Sequence, residues 1–272
     1  MAKKMGSKLT TVVFVVSVCL GIFIIVFPMI IGAINQRRSD EAIRAYEEQL
    51  AAQELQRQED LFAEAEEYNR ALSNNQQDEE RYNKLLQFDG GVMGYIEIPR
   101  IGIRDPIYHG IEEDVLQKGI GHMPTTSLPV GGKATHAALS GHRGLPSSKL
   151  FTDLDRIREG DIILINVLTR KLAYKVYSIE VVEPDSAGSL DINPNDDLLT
   201  LITCTPYGVN SHRLLVHARR TEYDGEMDNI KAEHTISESD RILLIALGIV
   251  ALILGVDIFV ILKRRRRERS RS

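Results

Sequence analysis

Hydrophobic positions fall into three textures along the chain. Two nearly unbroken apolar runs lie near the ends, at residues 9–34 and 242–262. Each has about 20 residues or more, enough for a helix to cross a hydrocarbon core. Pro28 and Gly32 in the first, and Gly248, Gly255 and Asp257 in the second, do not exclude that. From Ser39 to Leu72 the pattern changes to steps of three and four: Ile43, Tyr46, Leu50, then Leu61, Ala65, Tyr68 and Leu72. That spacing draws one apolar stripe on a helix of roughly 50 Å if continuous, with Ser39-Asp40 as its cap. A stalk or lid-bearing arm packed on a domain and a solvated spacer are both consistent with it. The polar stretch at 73–78 breaks the pattern.

From Val92 onward short β-type runs take over. Strands are expected at 94–103, 106–109, 136–140, 161–167, 172–182, 198–203 and 214–218. Turns at Asp89-Gly90-Gly91, Val130-Gly131-Gly132 and 158–161 separate them. Seven or so short strands at this spacing predict a mainly β domain, a barrel or a sandwich. Helical character is confined to 113–119 and 149–157, and the polar connection at 184–197 is long enough to be functional. No internal repeat, phosphate loop, paired-Cys motif or metal-ligand spacing occurs, so no cofactor is expected.

Charge changes the picture of the two terminal runs. Lys3, Lys4 and Lys8 precede the first, and seven Lys or Arg follow Ile261. The basic tail places the C-terminus in the cytoplasm. With two spans, both termini are inside and residues 35–241 outside. A cleaved signal peptide is the alternative for the first run, but it exceeds the usual apolar core and no small-x-small site follows cleanly. The chain's net charge of −5 hides a partition: residues 35–262 hold 23 Lys+Arg against 37 Asp+Glu, a balance of −14. That argues against nucleic acid or anionic lipid as the external partner and makes the tail an orientation signal. Cys19 lies in the first apolar run, so Cys204 has no soluble partner. An unpaired external Cys is an intermolecular bridge or a working thiol.

Cys204 ends one apolar β-branched run, and Arg213 opens the next after a polar connection, 205–212, containing Pro206, Gly208 and Asn210. Paired as antiparallel neighbours, the two face each other across the mouth of a hairpin, about 4.5–5.5 Å apart at Cα. A guanidinium there favours thiolate and can hold a developing oxyanion. The plainer alternative is a small buried hydrophobe. A thiol nucleophile needs a proton partner. Of seven histidines, His136 and His217 read as strand residues, and His109, His122 and His234 lack a polar constellation. His212 adjoins Arg213 and points to the opposite face. His142 follows the run HAALSG between glycines, at a strand end like Cys204, and is the candidate acid–base, with an exposed loop histidine as its alternative.

Cys204 in TLITCTPYG, Arg213 in NSHRLLV and His142 in LSGHRG, in the order His, Cys, Arg, resemble the sortases. The phrase TCTPYGVNSHRLLV looks most like their pilin-polymerising group, class C. The resemblance runs from about Val92 to Arg220. GYIEIPRIGIRDPIYHG matches the family's opening strands, and KGIGHMPTTSLPVGG the segment before the His strand. It implies an eight-stranded sortase β-barrel and a membrane-anchored cysteine transpeptidase of Gram-positive bacteria, needing no cofactor. Cys204 would attack the Thr–Gly bond of an LPxTG-like sorting signal, His142 would serve as acid and base, and Arg213 would hold the carbonyl or its oxyanion. A pilin lysine would resolve the thioester; a housekeeping member would use a peptidoglycan-precursor amine.

The family's usual lid signature, Asp-Pro-aromatic ahead of the barrel, is missing. The only Asp-Pro is Asp105-Pro106, followed by Ile107. The expected organisation is a cytoplasmic start (1–8), an anchor (9–34), a helical arm (35–90), the barrel (91–224), a linker (225–241), a second span (242–262) and a basic tail (263–272). Other cell-wall cysteine enzymes fit less well: some peptidases place Cys before His, and L,D-transpeptidases set a His-Gly pair ahead of the Cys, where this chain has Ile202-Thr203. A non-catalytic membrane-anchored assembly scaffold is the rival of a different class.

Overall fold

The computed structural model describes residues 2–145, 148–184, 190–232 and 238–269. The chain divides into two compact units, Met1–Ala33 with Ile236–Ser272, and Ile34–Thr235. In the first unit, the apolar run at 9–34 lies inside helix α1 (Ala2–Ala52), which passes through Pro28. Among the described residues α1 is the one helix long and apolar enough to cross a membrane. The second run lies in the C-terminal helix Glu238–Arg269, whose described apolar stretch is Leu244–Val260. His234 lies outside the described residues.

The second unit is a closed barrel of eight strands. These are β1 (Val92–Ile98), β2 (Ile103–His109), β3 (Ile120–His122), β4 (Thr135–Ser140), β5 (Ile162–Val167), β6 (Arg170–Val182), β7 (Asp197–Thr205) and β8 (His212–Thr221). Their order around the barrel is β1-β2-β3-β4-β7-β8-β6-β5, with β5 pairing back to β1. Alternation along the strands separates two faces. Ala137, Leu139, Leu199, Leu201, Leu214 and Val216 belong to the main core, whereas Ala138, Ile202 and Leu215 form a smaller apolar cluster on the other face.

The departures from the expected elements have local causes. The run at 94–103 ends as a strand at Ile98, and β2 starts already at Ile103: Pro99 has no N–H to offer a ladder and opens a 3₁₀ turn, and Gly102, at φ 63°, redirects the chain. β3 escaped the sequence pattern because three residues show no period, yet all three are buried. Only Glu113–Leu116 is helical in the stretch 113–119. At 149–157 there is one 3₁₀ turn, Leu154–Arg156, where Asp153 gathers Lys149 (3.0 Å) and Arg156 (3.2 Å) instead of continuing a helix.

The arm is two helices, not one. α1 runs through Ser39-Asp40, so this pair caps nothing; Ser39 Oγ instead donates to the buried Asp105 Oδ1 at 3.0 Å. The chain breaks at Gln53–Glu54, and a second helix, Leu55–Ser73, follows. The stripe is a packing face: Ile43, Tyr46, Ala65 and Tyr68 are buried, Tyr46 Oη accepts from Leu168 N at 2.7 Å, and Asn69 bonds both backbone groups of Leu128. The arm therefore packs on the barrel and is no solvated spacer. Past the break a short helix, Glu79–Lys84, is capped by Asp78 and buries Tyr82 against His122, whose Nδ1 lies 3.0 Å from its hydroxyl.

Candidate active site

The parallel ladder of β4 on β7 ends at Ser140↔Ile202, and side-chain and backbone bonds carry the match beyond it. Gly141 N donates to Ile202 O (3.1 Å), and Thr203 Oγ1 donates to Gly141 O (2.7 Å). One residue further on each chain puts His142 level with Cys204. Gly141 is required here, because a Cβ would sit 2.7 Å from the Phe151 ring and 2.8 Å from Ile120. On the other side, the antiparallel ladder of β7 and β8 pairs Cys204 directly with Arg213. Three neighbouring strands thus deliver His142, Cys204 and Arg213 to one end of the sheet, beyond Ile202 and Leu215. The connection between β7 and β8 is shorter than the apolar pattern suggested: both strands extend, leaving six residues, 206–211. Asn210 N closes its turn on Pro206 O at 3.0 Å.

Cys204 is half-buried, and Arg213 Nη1 donates to the loop carbonyls of His212 (3.1 Å) and Asn210 (3.3 Å). His142 Nε2 is shielded from solvent and lies 3.3 Å from Glu113 Oε2, an ion-pair distance without the alignment of a hydrogen bond. Among the described residues no hydrogen bond joins the imidazole to the thiol. Glu113 opens its short helix, and its carboxyl is held below the usual range by the bond from Gln117 Nε2 and then by the His142 imidazole.

Two supporting residues went unread in the sequence. Arg143 is buried and spans the strand ends, with Nη1 donating to Thr205 Oγ1 (2.9 Å) and Nη2 to Asp155 Oδ2 (2.5 Å). Glu113 is the other. Adjacency to His142 singles out Arg143 only once a bend holds the two apart, and 29 residues of sequence separate Glu113 from the histidine it meets. The remaining histidines are engaged elsewhere. His136 and His217 flank Thr200 Oγ1 at 2.7 and 2.8 Å, His109 Nε2 meets Leu85 O at 2.7 Å, and His212 Nδ1 faces Ser211 Oγ at 2.8 Å. His122, in β3, does have polar company: Tyr82 and Ser127 O hold both its nitrogens.

A sortase domain family model matches residues 96–221, from β1 to the end of β8. Among solved structures, sortase C1 of Streptococcus agalactiae is 43% identical, with a TM-score of 0.66 over 68% of this chain and 100% of that one. The chain belongs to the sortase family. Sortase C of Clostridium perfringens, solved with the C-terminal cell wall sorting motif, is also 43% identical, with a TM-score of 0.63 over 67% of this chain and 99% of its own. Sortase C of Streptococcus pneumoniae, a structure described for its pilin substrate specificity, is 39% identical at a TM-score of 0.62, over 67% and 97%. Curated relatives match over less of their length: sortase A of Streptococcus agalactiae is 32% identical over 47% of this chain and 52% of its own. The sortases are cysteine transpeptidases, and the structural neighbours of this chain are class C. Asp105-Pro106 is part of β2, and no described hydrogen bond or ring contact ties residues 74–91 to Cys204, His142 or Arg213.

Proposed function

We propose that this chain is a membrane-anchored class C sortase that cuts an LPxTG-like sorting signal between Thr and Gly and joins the threonine to a pilin lysine. The observation that carries the reading is the pairing of Cys204 with Arg213, with His142 level on the neighbouring strand. The Cys204 thiolate adds to the Thr carbonyl carbon, and Arg213, swung from its loop carbonyls, holds the oxygen as charge gathers on it. The tetrahedral adduct collapses by breaking the C–N bond. His142 gives the departing glycine amine its proton, leaving a thioester on Cys204. An incoming lysine amine loses a proton to His142 as it attacks. The C–S bond then breaks, and Cys204 leaves as thiolate. No cofactor enters either half-reaction.

The experiment is mass spectrometry of the full chain in detergent with an LPxTG peptide, followed by a lysine-bearing pilin fragment or a peptidoglycan-type amine. A thioester on Cys204 resolved by the lysine supports pilus assembly, and resolution only by the peptidoglycan-type amine makes the chain a housekeeping anchor enzyme. No adduct at all leaves a non-catalytic assembly scaffold. The anchor is α1 with its N-terminus cytoplasmic. The second apolar helix returns the basic tail to the cytoplasm, so the barrel is extracellular.

A further inference from the structure

Below the Cys204–Arg213 pair, the outward positions of β7 descend through Ile202 and Thr200 to Leu198. A cleft of about 610 Å³ opens at Leu198, with His136 and His217 beside it and Glu180, Asp191 and Asp196 among its walls. It does not include the reacting residues. The apolar trio Ala138, Ile202 and Leu215 lies between the two, so one face of the sheet runs from thiol to cleft.

We propose that this cleft is a second subsite of the donor groove, holding the residues that immediately precede the sorting motif and favouring lysine or arginine there. The inference rests on the donor reading above. Its first support is chemical. The peptide on the N-terminal side of the cut stays bonded to Cys204 through both half-reactions, while the other side departs and the amine takes its place. A surface continuous with the thiol therefore serves the acyl portion. Reach supplies the second: an extended chain covers ~3.3 Å per residue, so four motif residues span ~13 Å, to the level of Thr200. Two more residues reach Leu198 and the cleft.

Charge sets the preference. Three carboxylates meet one guanidinium, Arg219, which already pairs with Asp196 at 3.2 Å. Glu180 Oε1 lies 3.0 Å from His217 Nε2, leaving its second oxygen for a ligand. Asp191 is exposed at the mouth. His136 turns its Nδ1 to Asp191 O at 3.0 Å, and burial pushes its titration down, which disfavours an opposing charge there.

The test uses the full chain in detergent and three donor peptides: the bare motif, and the motif preceded by three residues containing either two lysines or two glutamates. Thioester formation on Cys204 is followed by mass spectrometry, and kcat and KM are separated. The lysine peptide is expected to have a KM about five- to tenfold below that of the glutamate peptide, at similar kcat. In Asp191→Asn and Glu180→Gln the ratio of the two should fall toward one. Equal KM values in the wild type, or a preference that survives both substitutions, overturn the subsite while leaving the transpeptidase reading intact. Failure of all three peptides to acylate Cys204 overturns the donor reading and the subsite with it. A preference that appears only when the lysines are on the incoming amine component assigns the cleft to the acceptor and also overturns the proposal.

Discussion

Asn69 grips both backbone groups of Leu128: its Nδ2 donates to the carbonyl at 3.0 Å, and its Oδ1 accepts from the N–H at 2.7 Å. All of these groups are buried, so the arm helix completes the hydrogen bonding of a barrel loop 59 residues away. Asn69→Ala should cost about 2–4 kcal/mol, since two buried backbone groups lose their partners. Urea unfolding should show a lower midpoint at unchanged slope. An unchanged midpoint would mean that solvent replaces the amide. For the same reason, removing the arm should unfold the barrel, because Tyr46, Phe62, Ala65, Tyr68 and Leu72 are part of the same core.

The proposed roles of Cys204, His142 and Arg213 make separable predictions. Cys204→Ala should abolish adduct formation, there being no second thiol outside the first apolar run. His142→Ala and Arg213→Ala should each slow acylation by about 10²–10⁴. Circular dichroism should be unchanged, because both side chains sit at strand ends. Arg213→Lys should recover little, as an ammonium lacks the planar fork. Equal adduct rates in wild type and His142→Ala would remove that residue from the mechanism.

Glu113 should act through His142. With the carboxylate 3.3 Å from Nε2, Glu113→Gln should slow acylation a few-fold, the scale expected of an exposed charge pair. High salt should bring wild type down toward the variant, since the attraction is screened. A wild-type rate indifferent to salt would show that the pair contributes nothing to turnover.

Acid should weaken the fold through His122. Full burial pushes its pKa down to about 4 from the 6.5 of an open histidine. Between those values the unfolded chain binds the extra proton, so stability rises with pH and is lost on acidification from pH 7 to 4. The span corresponds to ~3 kcal/mol. His109 and His136, also pushed down by burial, add in the same direction. Buried Asp105 and Asp197, pushed up, oppose it at the acid end. Urea midpoints at pH 7, 5.5 and 4 should fall more steeply for wild type than for His122→Gln, and parallel curves would refute this assignment.

The two-span topology predicts that protease added to intact protoplasts digests the barrel and spares an epitope on the basic tail. A tail cleaved from outside would leave α1 as the sole anchor.

The hairpin carrying Cys204 and Arg213 was legible because both flanking runs are apolar and β-branched and the turn residues between them are unambiguous. The position of His142, level with Cys204, was legible from its place after a strand and between glycines. Glu113 and Arg143 were not, because what makes them matter is a bend and a crossover, and neither leaves a periodic trace. β3 was hidden by its shortness, and the split between β1 and β2 by the β-type residues on both sides of Pro99. Ser39 illustrates the opposite error: a good cap residue by type was drawn into a buried bond with Asp105 while the helix ran on through it.

Because β5 closes on β1, every strand of the barrel has neighbours on both sides, although β6 runs on past β5 beyond Lys175. Along β7, which β4 and β8 already flank, a peptide cannot be recognised by strand addition, a mode in which backbone bonding provides affinity for almost any sequence. Discrimination must come instead from side chains on the outer surface and in the connecting loops. Substrate choice in such a molecule is open to change by point substitution, with the ladder that pairs Cys204 and Arg213 left untouched.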